Sequence, residues 1–228
     1  MHKYAIGGLL LCSILISIYT RIIGVTYDLT SLIETDPVRY VHQTQQILEH
    51  GRMPDVDTLR AAPLGEKTSI LLTLYPYVIA TIYRVVKLIG VDFEPFVIIL
   101  PVLLFALTTI PIYLLTWRIF GHEVALISIN ILALTPPLLA RTYAGFADRD
   151  SFVLLLAMWS FFFYVQSHLE TGYKQWLHRA LSSWAMLCLG LTWQGVGIFA
   201  AVVVTVELIK IMVDESYDQR SAGLFVLW

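Results

Sequence analysis

The chain is short of charge. Asp, Glu, Lys and Arg make up 14% of its 228 residues, where a soluble domain carries about a quarter. With 57% hydrophobic residues and a mean hydropathy of +0.72, that shortage excludes an ordinary soluble fold and marks an integral membrane protein. A basic stripe is also lacking, and the net charge of −2 gives no sign of nucleic-acid binding. Cysteine is nearly absent. Cys12 and Cys188 both lie in apolar runs and read as packing residues rather than a disulfide pair or metal ligands. Internal repeats and low-complexity tracts are missing. The amino terminus, Met1-His2-Lys3 before an apolar run, resembles a signal peptide but has no small-residue cleavage site. More apolar runs follow, so it reads as an uncleaved signal-anchor helix.

Apolar runs fall near 4–20, 68–90, 95–117, 122–143, 151–168, 176–192 and 196–213. A span needs about 20 residues, with roughly 17 as the lower limit. The stretch 21–67 is polar, with local helix. Asp36 as N-cap and Pro37 at the first helical position open that helix, and Gly51 closes it after His50. The run 68–90 differs from the others. It holds Pro76, Arg84 and Lys87 with tyrosines at 75, 77 and 83. A basic residue costs about 2.5–3.5 kcal/mol at mid-membrane, whereas bases mixed with aromatics suit a helix lying in the interface. This run is therefore expected to lie flat. The remaining runs give about six spans. With the amino terminus inside, the inner loops carry Arg118, Lys174, Arg179 and Arg220, with Lys210 at a helix end. The short outer loop 144–150 carries only Arg149, with Arg141 at its edge, which agrees with the positive-inside bias.

The segment Arg141-Thr-Tyr-Ala-Gly-Phe-Ala-Asp148-Arg149-Asp150 is where charge returns between two apolar runs. Charge at a membrane boundary is expensive unless solvated, paired or bound to a cation. Asp148 and Asp150 are two apart, so in an extended loop both can turn toward one hard divalent cation. On a helix they would diverge. The plain alternative is a solvated pair of carboxylates facing Arg141 or Arg149. If 68–90 lies flat, Asp36 emerges on the same side as Asp148 and Asp150. If it spans, the acids cannot share a site.

These residues resemble the oligosaccharyltransferase catalytic-subunit family (STT3/AglB/PglB). Arg141 through Asp150 is similar to that family's second acidic motif. Thr35-Asp36-Pro37-Val38-Arg39-Tyr40, continuing to Glu49-His50-Gly51-Arg52-Met53-Pro54, is similar to the first. Ala62-Pro63-Leu64-Gly65 and Thr192-Trp193-Gln194-Gly195 resemble further landmarks. The resemblance implies an all-α membrane bundle of the GT-C glycosyltransferase type, with residues 21–94 as a long helical first external loop and 144–150 as the second. It implies transfer of a glycan from a polyprenyl or dolichyl (di)phosphate to Asn in Asn-x-Ser/Thr sequons, on the extracytoplasmic or luminal face. Partners would be the lipid-linked oligosaccharide, the acceptor polypeptide and membrane lipid. Asp36, Asp148 and Asp150 would bind Mn²⁺ or Mg²⁺, and Asp36 would also meet the acceptor amide. Arg141 would hold a carboxylate in place. The family's later catalytic Glu, its Trp-Trp-Asp-Tyr-Gly motif and its carboxy-terminal soluble domain are not in this sequence, so by itself it is expected to be inactive.

Simpler readings stand beside these. Asp36 serves as a helix cap, Arg141 as an interfacial base, and Arg149 as a solvated charge. His42 and His50 are structural or exposed, Trp193 belongs to an interfacial aromatic belt, and Asp214-Glu215 forms a solvated turn. Two rival functions also remain: another lipid-phosphate-sugar transferase, such as a protein O-mannosyltransferase, or a non-enzymatic transporter or scaffold fragment.

Overall fold

The structure is a computed structural model. It describes residues 3–23, 35–58, 62–68 and 74–213, with Gly223, Phe225 and Trp228. The Asp214-Glu215 pair and Arg220 lie outside the described residues. In chain order the helices are α1 (Lys3–Ile22), α2 (Thr35–His50), α3 (Leu74–Val86, continued by a 3₁₀ turn Lys87–Ile89), α4 (Phe93–Phe120), α5 (His122–Leu134), α6 (Pro136–Thr142), α7 (Asp150–Leu169), α8 (Tyr173–Gly190) and α9 (Val196–Val213). A two-residue antiparallel ladder, Val56–Asp57 against Glu66–Lys67, is the described strand structure.

Helix α1, α4, α7 and α9 are each long and apolar enough to cross a membrane, and α5 with α6 makes a fifth candidate bent by 64°. The sequence reads 122–143 as one continuous span. The break has a direct cause: Pro136 and Pro137 have no N–H, so the carbonyls of Leu132 and Ala133 lose their usual helical partners. The thirteen residues of α3 are by themselves too few to span. Helix α8 is more polar, so four to five candidate spans stand among the described residues where the sequence suggests about six. The reason lies in its polar residues. Arg179, expected in a loop, is fully buried in α8, where it donates to Glu207 of α9 at 3.3 Å. Tyr164 of α7 donates to the same carboxylate oxygen at 2.7 Å, and His168 and Lys210 lie at 3.3 and 3.6 Å.

Helices α2 and α3 form a hairpin on the bundle. On α2, Tyr40, Gln43, Thr44 and Ile47 are buried at helical spacing. Tyr40 packs with Tyr75, Ile79 and Tyr83 of α3, and Ile47 with Ala80. Gly51 ends α2 with a positive φ of 77°, its amide bonding the Ile47 carbonyl at 2.9 Å. Between the helices, His42 Nε2 lies 3.4 Å from the buried Asp57 carboxylate, so His42 is structural as expected. Cys12, exposed on α1, and the half-buried Cys188 are free thiols.

Candidate active site

The segment 143–149 is short but not loose. Ala144, Phe146 and Ala147 are almost wholly buried. The Ala144 amide donates to the Arg21 carbonyl at 3.0 Å and the Gly145 amide to the Ile98 carbonyl at 2.9 Å. The segment is thereby stitched to the carboxy-terminal end of α1 and the first turns of α4. Gly145 has φ 88°, a conformation that side chains resist. From the other side, the buried Tyr75 hydroxyl of α3 donates to the Asp148 carbonyl at 3.0 Å. Tyr75 packs edge-on against Tyr40 and stacks on Phe152. The hairpin of the first loop is thus wedged beneath the acidic segment.

Arg21 supports the same segment from below. It is fully buried. Its Nε donates to Thr142 Oγ1 at 2.7 Å, and Nη1 donates to the Ala133 carbonyl at 3.0 Å and the Ser17 carbonyl at 3.1 Å. Its guanidinium carbon lies 3.4 Å from the centre of the Phe105 ring. Ala133 is the residue whose helical donor Pro137 cannot supply, so Arg21 satisfies the carbonyl that the proline break orphaned.

Asp148 is buried, and its Oδ1 accepts from the Arg149 amide at 2.6 Å. Burial pushes its carboxyl from the ordinary 3.8 up to about 6, and the neighbouring charges of Asp150 and then Asp36 push the same way. The Arg149 amide and guanidinium oppose them. Burial also raises the Tyr75 hydroxyl, with Asp148 adding to it. Asp36 and Asp150 therefore both lie within electrostatic reach of Asp148. Among the described residues, no three His, Cys, Asp or Glu groups are gathered closely enough to grip a metal ion. The acids share a field and stand apart, as like charges do.

Arg141 Nη1 lies 3.9 Å from Asp150 Oδ2, both half-exposed, a loose pair. Asp36 is exposed in the first turn of α2, one position inside the helix start rather than ahead of it. Two simpler readings need correction. Arg149 is not merely solvated: its guanidinium sits 5.7 Å from the Tyr40 ring centre and reaches the Thr192 carbonyl at 3.5 Å. Trp193 is not an outward-facing belt residue. It packs with Val153, Ala157 and Leu189 and meets Phe199 edge-on. Gly195 permits this, because a Cβ there would fall 2.3 Å from the Trp193 ring. The Leu74 amide bonds the Leu191 carbonyl at 3.3 Å, so the 191–195 turn abuts the site. Arg21, Tyr40 and Tyr75 escaped the sequence reading. Only the Pro136-Pro137 pair hinted that a buried donor would be needed.

Comparison with known proteins resolves the kinship. A family model described as oligosaccharyl transferase STT3, N-terminal, matches residues 9–227. The chain belongs to this family. A dolichyl-phosphooligosaccharide-protein glycotransferase 2 of Archaeoglobus fulgidus is 28% identical over 179 residues, covering 77% of the chain and 28% of that protein. Two solved structures of an Archaeoglobus fulgidus oligosaccharyltransferase share the fold. One, in complex with Zn and sulfate, has a TM-score of 0.76 at 18% identity, over 89% of this chain and 27% of that one. The other, tethered to an acceptor peptide containing the NVT sequon, has a TM-score of 0.78 at 19% identity, over 90% of this chain and 26% of that one. This STT3-family chain thus spans about a quarter of the length of these relatives. Its apolar helices and kinship make it an integral membrane protein.

Proposed function

We propose that this chain forms the amino-terminal, cation-holding part of an oligosaccharyltransferase that moves a glycan from a polyprenyl or dolichyl (di)phosphate to Asn in Asn-x-Ser/Thr. The observation that carries this reading is Asp148, whose carboxyl burial pushes up and the charges of Asp150 and then Asp36 push further, in a bundle with the family's fold. A buried, crowded carboxylate is costly without a counter-charge, and hard oxygen donors suit Mg²⁺ or Mn²⁺. Drawn together, Asp36, Asp148 and Asp150 would supply the oxygen donors that hold such a cation. A bound cation supplies charge stabilisation for a departing phosphate. A relative solved in complex with Zn and sulfate supports a divalent ion.

The chain's own residues do the positioning. Tyr75 fixes the backbone at Asp148, and the Arg149 amide orients the Asp148 carboxylate. Arg141 pairs loosely with Asp150 beside the buried Asp148. Asp36, exposed at the start of α2, is placed to meet an acceptor amide. We place residues 21–94 and 144–150 on one face of the membrane, extracytoplasmic or luminal.

The test is a chimera in which residues 1–228 replace the matching part of the Archaeoglobus glycotransferase. Given lipid-linked glycan, Mn²⁺ and a fluorescent Asn-x-Thr peptide, it should glycosylate the peptide. Asp36→Asn and Asp148→Asn should each reduce turnover at least a hundredfold. Full turnover in both variants would refute the assignment.

A further inference from the structure

Away from the acids, the carboxy-terminal end of α3 and the first half of α4 line a cavity of about 570 Å³. Every side chain that lines it is apolar, among them Ile82, Val86, Val91, Pro95, Ile99 and Leu103. It runs along α4 from Pro95 to Leu107. The twelve steps between them rise about 18 Å at 1.5 Å each, close to the depth of one leaflet of a core ~30 Å thick. Beside it, across the Tyr83–Phe93 ring pair, opens a second recess of about 420 Å³ lined by Glu49, Arg84 and Lys87. Arg84 Nη2 reaches the Ile47 carbonyl only at 3.5 Å, and Lys87 is exposed. The same turn presents Val85, Leu88 and Ile89 outward, at 65, 79 and 84% exposure for Val85, Ile89 and Leu88 respectively. Bases interleaved with exposed apolar residues on a short helix mark an element seated in the membrane interface.

We infer that this composite groove is a binding site for an anionic phospholipid of the surrounding bilayer, its acyl chain along α4 and its phosphate at Arg84 and Lys87. The charges match. Two cations against Glu49 leave one positive charge in excess, and a phosphodiester carries one negative charge. The occupant is a resident lipid rather than the glycan carrier. Arg84 and Lys87 lie nine and twelve residues beyond Tyr75, about 14–18 Å along the helix. A phosphate bound there is too far from Asp148 to react. Its effect is mechanical. It holds down one end of α3, whose other end carries the Tyr75 hydroxyl bonded to the Asp148 carbonyl. The inference does not depend on the proposed transferase activity.

The experiment loads the detergent-purified chain with equal phosphatidylglycerol and phosphatidylcholine of identical acyl chains and reads retained lipid by native mass spectrometry. Phosphatidylglycerol should dominate. Each basic residue near an anionic surface contributes about a fivefold preference. The exposed pair Arg84→Gln/Lys87→Gln should therefore reduce that preference roughly twenty- to thirtyfold with an unchanged melting temperature. Leu103→Trp, which fills the groove from its half-exposed wall, should lower retention of both lipids. Equal retention of the two lipids by the unaltered chain would overturn the inference, as would a preference that survives the double substitution. Displacement by a polyprenyl phosphate that the double variant no longer binds would also overturn it, reassigning the groove to the carrier. A lipid-free dimer that seals the groove would overturn it in favour of a second copy.

Discussion

Arg21→Met removes a fully buried guanidinium and keeps its apolar length. Two acceptors then lose a donor without substitute. Ala133 cannot turn to Pro137, and Thr142 Oγ1 keeps only its own donation to the Leu138 carbonyl. Ser17 suffers less, because the Thr20 hydroxyl also reaches its carbonyl, at 3.1 Å. Each orphaned buried acceptor costs about 1–3 kcal/mol. Relief from burying a charge with no carboxylate partner among the described residues offsets part of that. A net loss of about 2 kcal/mol remains, and it falls on the junction that carries Ala144 to Asp148. At 1.4 kcal/mol per tenfold, the segment should open about thirtyfold more often. The reporter is Ala147→Cys in a background without Cys12 and Cys188, since Ala147 is completely buried when the segment is closed. Its alkylation rate should rise about thirtyfold in Arg21→Met, with melting lowered by roughly 4–8 °C from the size scaling. Arg21→Lys should fall between, because one ammonium cannot serve both Ala133 and Thr142. Unchanged alkylation and melting in Arg21→Met would refute the idea that this guanidinium holds the acidic segment.

Three further outcomes follow from the same geometry. The Asp148 carboxyl lies at about 6 when folded against an ordinary 3.8. The unfolded chain therefore holds fewer protons between those values, and stability falls as pH rises through the window. In cation-free buffer, melting should drop from pH 4 to pH 7, and Asp148→Asn should flatten that drop; a rise specific to the unsubstituted chain would contradict the assignment. Gly195→Ala forces a Cβ to within 2.3 Å of the Trp193 ring and should cost about 1–3 kcal/mol by overpacking. Trp193→Leu should restore the loss, and an unaffected melting temperature in the single variant would show that the turn is looser than described. Cysteines at the exposed Asp55 and Glu94 should react with an impermeant thiol reagent from the same side. Labelling from opposite sides would place α3 across the membrane and separate Asp36 from Asp148.

Where hydropathy speaks clearly, the sequence was read well. Runs 4–20, 95–117, 151–168 and 196–213 each became one helix. The α2 boundaries followed from Asp36-Pro37 and Gly51, and the oddity of 68–90 followed from its bases. Failures came where polar residues do tertiary work. Arg179 reads as a loop charge because nothing nearby in sequence shows Glu207 waiting on another helix. Arg21 carries no mark of its role in the sequence around it, and only the distant Pro136-Pro137 pair tells that its donors are needed. Arg149 and Trp193 look like surface residues until Thr192 and Gly195 fold beside them. The acids themselves were visible as charge out of place. Tyr75 was not, since an aromatic in an apolar run carries no local mark of a partner seventy-three residues away.

The central claim is that Asp36, Asp148 and Asp150 serve one divalent cation. Electron paramagnetic resonance of Mn²⁺ titrated into the purified chain at pH 7 tests it most directly. Free Mn²⁺ gives a sharp six-line signal that fades on binding. The account predicts loss of one equivalent of free signal per chain, with competition by Mg²⁺ and by protons below pH 6. Asp36→Asn, Asp148→Asn and Asp150→Asn should each weaken the uptake. Full free signal at all ratios, or uptake indifferent to all three substitutions, would contradict the claim.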